Sequence, residues 1–203
     1  DTIAKIMAQT CRQAGLSKVY MDLCDFEGDE IYFHEEPQLV GKSFSDAMHA
    51  YEDSTVIGIA TATGAVLLKP PIDTVIAAGD QIIALSEDDD TVRLSGIATP
   101  PLQQDAIVAR QHAQRAPEHT LILGWNWRAA TIIEQLDAYV APGSTIKVVA
   151  RYGRVEAEIS KLREKMKNQE LQYQNADTSN RVVLEALQVA DYDHVLILSY
   201  SDN

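Results

Sequence analysis

The residues best suited to chemistry lie in one loop, Gly124-Trp125-Asn126-Trp127-Arg128-Ala129, between an apolar run and a helical pattern. In a dinucleotide-binding Gly-x-Gly-x-x-Gly/Ala loop the first glycine makes the tight turn. The second lets a pyrophosphate approach the backbone, and the third packs helix on strand. Those positions hold Gly124, Asn126 and Ala129. The outer two fit, but Asn126 puts a side chain where the pyrophosphate would lie. The acid that should end the next strand and hold the ribose hydroxyls is replaced by Arg151. The paired loss argues against NAD. What remains open is an altered ligand site. Asn126 and Arg128 could hold an anion at the helix N-terminus, either tryptophan could stack on a base, and Arg128, Arg151 and Arg154 could converge on a phosphate or carboxylate. The plainer alternative is a loop that caps the sheet.

Asp177 falls after a later strand, at the edge where open α/β sheets bind ligands, and could contact a ligand or cation there. Its alternative role is to cap the following helix together with Ser179 or Asn180. The run Glu87-Asp88-Asp89-Asp90 and the stretch from Asp25 to Glu30 offer the hard oxygen ligands that calcium takes, although neither matches an EF-hand loop. A solvated acidic face is the competing account. The five histidines show no metal-ligand spacing, and no Gly-x-Ser-x-Gly elbow or Walker loop occurs. Cys11 and Cys24 form no Cys-x-x-Cys pair and are expected to be packing residues. No catalytic constellation emerges, so a non-enzyme is expected.

Composition narrows the classes further. With 17 basic against 30 acidic residues the net charge is −13, which repels a phosphate backbone and argues against nucleic-acid binding. Hydrophobic residues make up 46%, enough for a real core, and 203 residues suit two small domains. No apolar run approaches the roughly 20 residues needed to span a bilayer, so direct membrane insertion is not expected.

The elements that must position these residues follow from periodicity. Residues 2–14 place Ile3, Ile6, Met7 and Ala14 on one helical face ending at Gly15, and a short helix is expected over 16–23. Between 30 and 85, runs such as Thr55–Ala60, Ala65–Leu68 and Gln81–Leu85 alternate with turn signals, giving a β-rich lobe with one helix near 43–51. Residues 95–119 read as a linker. From 120 the pattern becomes strand 120–123, helix 129–140, strand 145–150, helix 154–168, strand 171–174, helix 180–190 and strand 194–199, a parallel α/β unit. The expected domains are 1–94, the linker 95–119, and a truncated Rossmann-like lobe over 120–203.

The lobe order, with Pro37–Phe44 and then Ile76–Leu85, resembles the C-terminal lobe of RCK (regulator of potassium conductance) domains, and the following unit resembles the N-terminal lobe of a second one. Glu87–Thr91, Gly124-Trp125 with Arg128, and Leu136–Tyr139 leading to Ala141–Ser144 look like the CASTOR/POLLUX type of ion channel, a similarity running over nearly the whole chain. The resemblance implies a cytosolic gating-ring module on a membrane, joined to a pore domain of the same polypeptide and homo-oligomeric. Calcium regulation, as in plant members, is implied too. The competing functions are an NADP-binding oxidoreductase fragment, with Arg151 reading the 2′-phosphate, and a purely structural assembly module.

Overall fold

The apolar face expected near the start of the chain forms helix α1 (Thr2–Thr10), capped by the Asp1 carboxylate, which accepts from the Ile3 N–H at 3.0 Å. Ala4 and Ala8 are buried in a core that includes Ile122, Trp125, Ile132 and Leu196. Chain order alone placed this helix with the β-rich lobe. It belongs instead to a unit made of Asp1–Leu16 with Gln111–Asn203, while Ser17–Arg110 form a second unit. Periodicity locates an apolar face without saying which sheet will cover it. The computed structural model describes residues 1–25, 28–97, 103–106, 108, 115–151, 153 and 155–200. Residues 98–102, 107 and 109–114 of the expected linker, and 26 and 27 of the first acidic stretch, lie outside them.

The unit Ser17–Arg110 begins with helix α2 (Leu16–Asp22), which buries none of its residues. Strands β1 (Glu30–His34), β2 (Thr55–Ala60), β3 (Val66–Leu68) and β4 (Gln81–Ser86) form an antiparallel sheet in the order β1-β4-β2-β3. Central β4 buries Ile82, Ile83 and Ala84. The β2–β4 register slips between Val56 and Gly58. A Cβ on Gly58 would sit 2.5 Å from the Leu67 carbonyl oxygen, so a larger residue would push β3 away. Helix α3 (Phe44–Met48) is held by a capping box: the Asp46 N–H donates to Ser43 Oγ, and the Ser43 N–H donates to the Asp46 carboxylate. The Ser43 N–H and hydroxyl both donate to the Asp46 carboxylate and hold it below its usual range. Phe44 and Ala47 then join Leu39, Val56, Ile59 and Ile76 in the core.

In the other unit all strands are parallel: β5 (His119–Leu123), β6 (Ser144–Val149), β7 (Gln169–Gln174) and β8 (His194–Ile197), in the order β7-β6-β5-β8. Helices α4 (Ala129–Tyr139) and α5 (Val155–Arg163) cover one face, where Ile122, Ile146, Val148 and Leu171 are buried. Helix α6 (Arg181–Ala186) and the residues after it cover the other, over Leu121, Leu123 and Val149. Both faces of β5 are therefore buried, which is why its sequence is apolar without alternation. α5 stops short of the expected 168, and α6 short of 190. Gln188 takes φ +50°, a left-handed conformation that cannot continue a helix.

Candidate functional site

The loop after β5 is shaped by contacts that leave glycine no substitute at its first position. Gly124 has φ +92°, and a Cβ there would overlap the Leu198 carbonyl oxygen. Trp125 turns inward: it is 3% exposed, and its indole Nε1–H donates to Glu158 Oε2 at 3.1 Å. It is a core residue of the sheet–helix layer, not a platform for a base, which corrects one of the two stacking roles open to the tryptophans. Trp127 is exposed and carries the Arg128 guanidinium 4.3 Å from its ring centroid. Asn126 Oδ1 accepts the Arg128 N–H at 3.0 Å, and its carbonyl accepts the Ala129 N–H at 3.1 Å. The side chain at the second glycine position thus folds onto the backbone at the start of α4.

The cations at this strand edge are drawn to carboxylates of the same unit. Arg128 Nε donates to Asp1 Oδ2 at 2.9 Å, with both side chains about four-fifths buried. Arg151, just past β6, lies 3.6 Å from Asp177 through its Nη1, both groups being well exposed. Such a pair is worth little in water. The Arg151 backbone N–H donates to the Tyr200 hydroxyl at 3.0 Å, and that hydroxyl lies 3.4 Å from Thr178 Oγ1. Asp177 Oδ1 accepts from both the N–H and the hydroxyl of Ser179, and these bonds, with Arg151 beside them, hold its carboxyl below the usual range. Asn180, not Asp177, caps α6, accepting the Val182 N–H. Arg128 and Arg151 are held by different carboxylates, and Arg154 lies outside the described residues.

The acidic run after β4 is used locally. Asp88 accepts the Asp89 N–H and caps a 3-10 turn over Asp89–Thr91, and Asp90 pairs with Arg93 at 3.2 Å on the surface. Glu87 precedes the turn and is exposed. Among the described residues no three His, Cys, Asp or Glu side chains gather as a metal ion requires. The run's charge is nonetheless felt nearby. Tyr32 donates to Glu30 at 2.8 Å, and that bond, then desolvation, and last the charges of Glu30, Asp88 and Asp89, push its hydroxyl up to about 12. Cys11 is half-buried, donates to the Ala8 carbonyl, and is pushed up to about 11 by burial. Cys24 is exposed, contrary to the packing role expected of it.

Two polar clusters escaped sequence reasoning. At the opposite edge of the parallel sheet, Arg12 holds Glu118 in a bidentate grip at 2.5 and 3.0 Å, and His194 Nε2 lies 3.0 Å from the same carboxylate. Glu118 is held below its ordinary range chiefly by the Arg12 hydrogen bond. These residues are 106 and 76 positions apart, so spacing carries no trace of the cluster. The second is Asp137, 6% exposed within α4, whose carboxylate accepts the backbone N–H groups of Lys167, Asn168 and Gln169 at 2.9–3.2 Å. Its one signal in the sequence was an acid on the apolar stripe that Ile133 and Leu136 define.

Residues 1–101 match the family described as Castor and Pollux, part of voltage-gated ion channel. The whole chain is similar to proteins named for those channels. It is 30% identical to Probable ion channel CASTOR of Oryza sativa subsp. japonica and 30% identical to Probable ion channel POLLUX of Arabidopsis thaliana, in each case over 98% of this chain. It is 29% identical to Ion channel CASTOR of Lotus japonicus over the same share. These matches cover 23%, 25% and 24% of the relatives, so the chain spans about a quarter of their length. Among the described residues no helix is long and apolar enough to cross a membrane.

Proposed function

The chain is of the CASTOR/POLLUX ion-channel type, and from that premise we propose that it is a non-catalytic regulatory module which couples a cytosolic stimulus and homo-oligomerisation to a pore in the same polypeptide. One observation carries the non-catalytic part of the reading: the dinucleotide loop is filled from within. Asn126 bonds the start of α4, Trp125 is buried, and the Arg151 N–H is given to Tyr200. The RCK resemblance supplies the arrangement, a gating ring built from such lobes. A ring moves a pore only by as much as its ligand discriminates between two conformations, and tens-fold discrimination is about 2 kcal/mol per site.

Calorimetric titration of the protein with NAD⁺, NADPH and calcium chloride separates this reading from an oxidoreductase. Neither nucleotide is expected to saturate in the micromolar range. Tight NADPH binding lost in Arg151→Ala would instead establish a 2′-phosphate site and an enzyme. Heat released by calcium would identify the stimulus.

A further inference from the structure

A groove in the antiparallel unit is walled by apolar side chains from α3, β2 and the segment after β3. Its volume is about 690 Å³, inside the range of about 300–1,000 Å³ common to small-molecule sites. Buried Phe44 and Val56 line it, and Met48 and Ile72, 45% and 68% exposed, stand at its rim. The wall after β3 is preformed. Pro70 and Pro71 have fixed φ and no N–H to satisfy. On either side of them the Lys69 N–H donates to the Ile57 carbonyl and the Ser45 N–H donates to the Ile72 carbonyl, both at 2.9 Å. A ligand entering such a groove has little backbone left to order.

Lys69 gives the groove its chemistry. Among the described residues it is the one ionisable side chain in the lining, a cation on a chain of net charge −13, and no described carboxylate pairs with it. Its backbone holds φ +48°, a left-handed conformation that glycine adopts at lower cost. Strain of this kind gathers at ligand clamps, so a lysine at this position argues that its side chain is used. A lone ammonium matches a single negative charge, whereas a phosphate would call for several cations or a guanidinium fork. We propose that the groove binds an amphipathic monoanion, a free carboxylate whose apolar body lies on Phe44 and Val56 between Met48 and Ile72 while its head group meets the Lys69 ammonium. A second copy of the chain suits the groove less well, because it brings a like net charge and no carboxylate placed for Lys69. The site needs no pore and stands apart from the regulatory reading.

Decanoate is the probe, titrated into the isotope-labelled protein at neutral pH beside decylammonium, which has the same chain and the opposite charge. Saturable amide shifts are expected at Val56, Ile57, Lys69 and Ile72, with decylammonium binding at least about fivefold more weakly, the ratio an exposed ion pair supplies. Lys69→Gly should weaken decanoate by about fivefold while melting no lower than the parent, because glycine relieves the left-handed strain. A merely structural lysine would leave the affinity unchanged. Ile72→Glu, at the exposed rim, should abolish binding by setting a like charge against the head group. No saturation below the millimolar range, equal affinity for the two amphiphiles, or decanoate affinity unchanged in either variant overturns the proposal. Shifts spread instead over the exposed Ile31 and Phe33 also overturn it. Shifts at the groove produced by raising the protein concentration alone overturn the occupant in favour of a second copy.

Discussion

Replacing Asp137 with alanine removes the acceptor of three backbone N–H groups at once. In the native unit Oδ1 lies 2.9 Å from the Asn168 nitrogen and 3.1 Å from that of Gln169, while Oδ2 lies 3.0 Å from that of Lys167. A hydrogen bond to a charged group contributes about 1.5–3 kcal/mol net, and a stranded buried donor costs about 1–3 kcal/mol. Water can reach the exposed Lys167 and the half-exposed Asn168, whereas Gln169 is buried. The full sum is therefore not lost, and about 3 kcal/mol is expected for Asp137→Ala. Asp137→Asn keeps one acceptor and should cost about half of that, although its amide hydrogens then face donors. Urea unfolding followed by the fluorescence of buried Trp125 reads the effect. With a slope of about 1–3 kcal/mol per molar, the alanine midpoint should fall by about 1–3 M at unchanged slope. The reasoning is refuted if both variants unfold within about 0.5 kcal/mol of the parent, a difference typical of plain surface changes.

Other consequences can be checked on the same material. Gly124→Ala should cost about 3 kcal/mol or abolish folding of its unit, since the residue would combine a positive φ with a collision against Leu198, and circular dichroism melts would show it. Glu118 is depressed in the folded state, so its contribution is present above the ordinary carboxylate value of about 4.3 and disappears as pH falls through its lower folded value. Glu118→Gln or Arg12→Ala should flatten the acid limb of a stability–pH profile, and an unchanged limb would mean the grip is not made in solution. Cys24 should react with a thiol reagent at pH 8 in the folded protein while Cys11, raised to about 11 and half-buried, reacts on unfolding. Fast modification of both would contradict the burial of α1.

Much of the architecture could be read from residues. The runs 120–123, 145–150 and 194–199 announced strands of a parallel sheet, and the turn signals around Gly64 and Gly79 delimited the antiparallel ones. What escaped was set by partners distant in sequence. The stripe through Met166 predicted a longer α5, and Met166 does pack on the core, but Asp137 takes the N–H groups of Lys167 and Asn168, the last two residues of the helix expected to reach 168. The membership of α1 was hidden because Ala4 and Ala8 would fit under either sheet. In the loop, the conflict at Asn126 was visible, whereas the inward turn of Trp125 depended on Glu158, thirty-three residues away on another helix.

The central claim is that these residues regulate a pore without catalysing a reaction. Its most direct measurement is single-channel recording of the full-length protein in a planar bilayer, comparing the parent with Asn126→Ala and Trp125→Phe, which loosen the loop without touching a pore. The account predicts altered open probability with unchanged unitary conductance and ion selectivity. Unaltered open probability in both variants, with the protein folded and conducting, would contradict it.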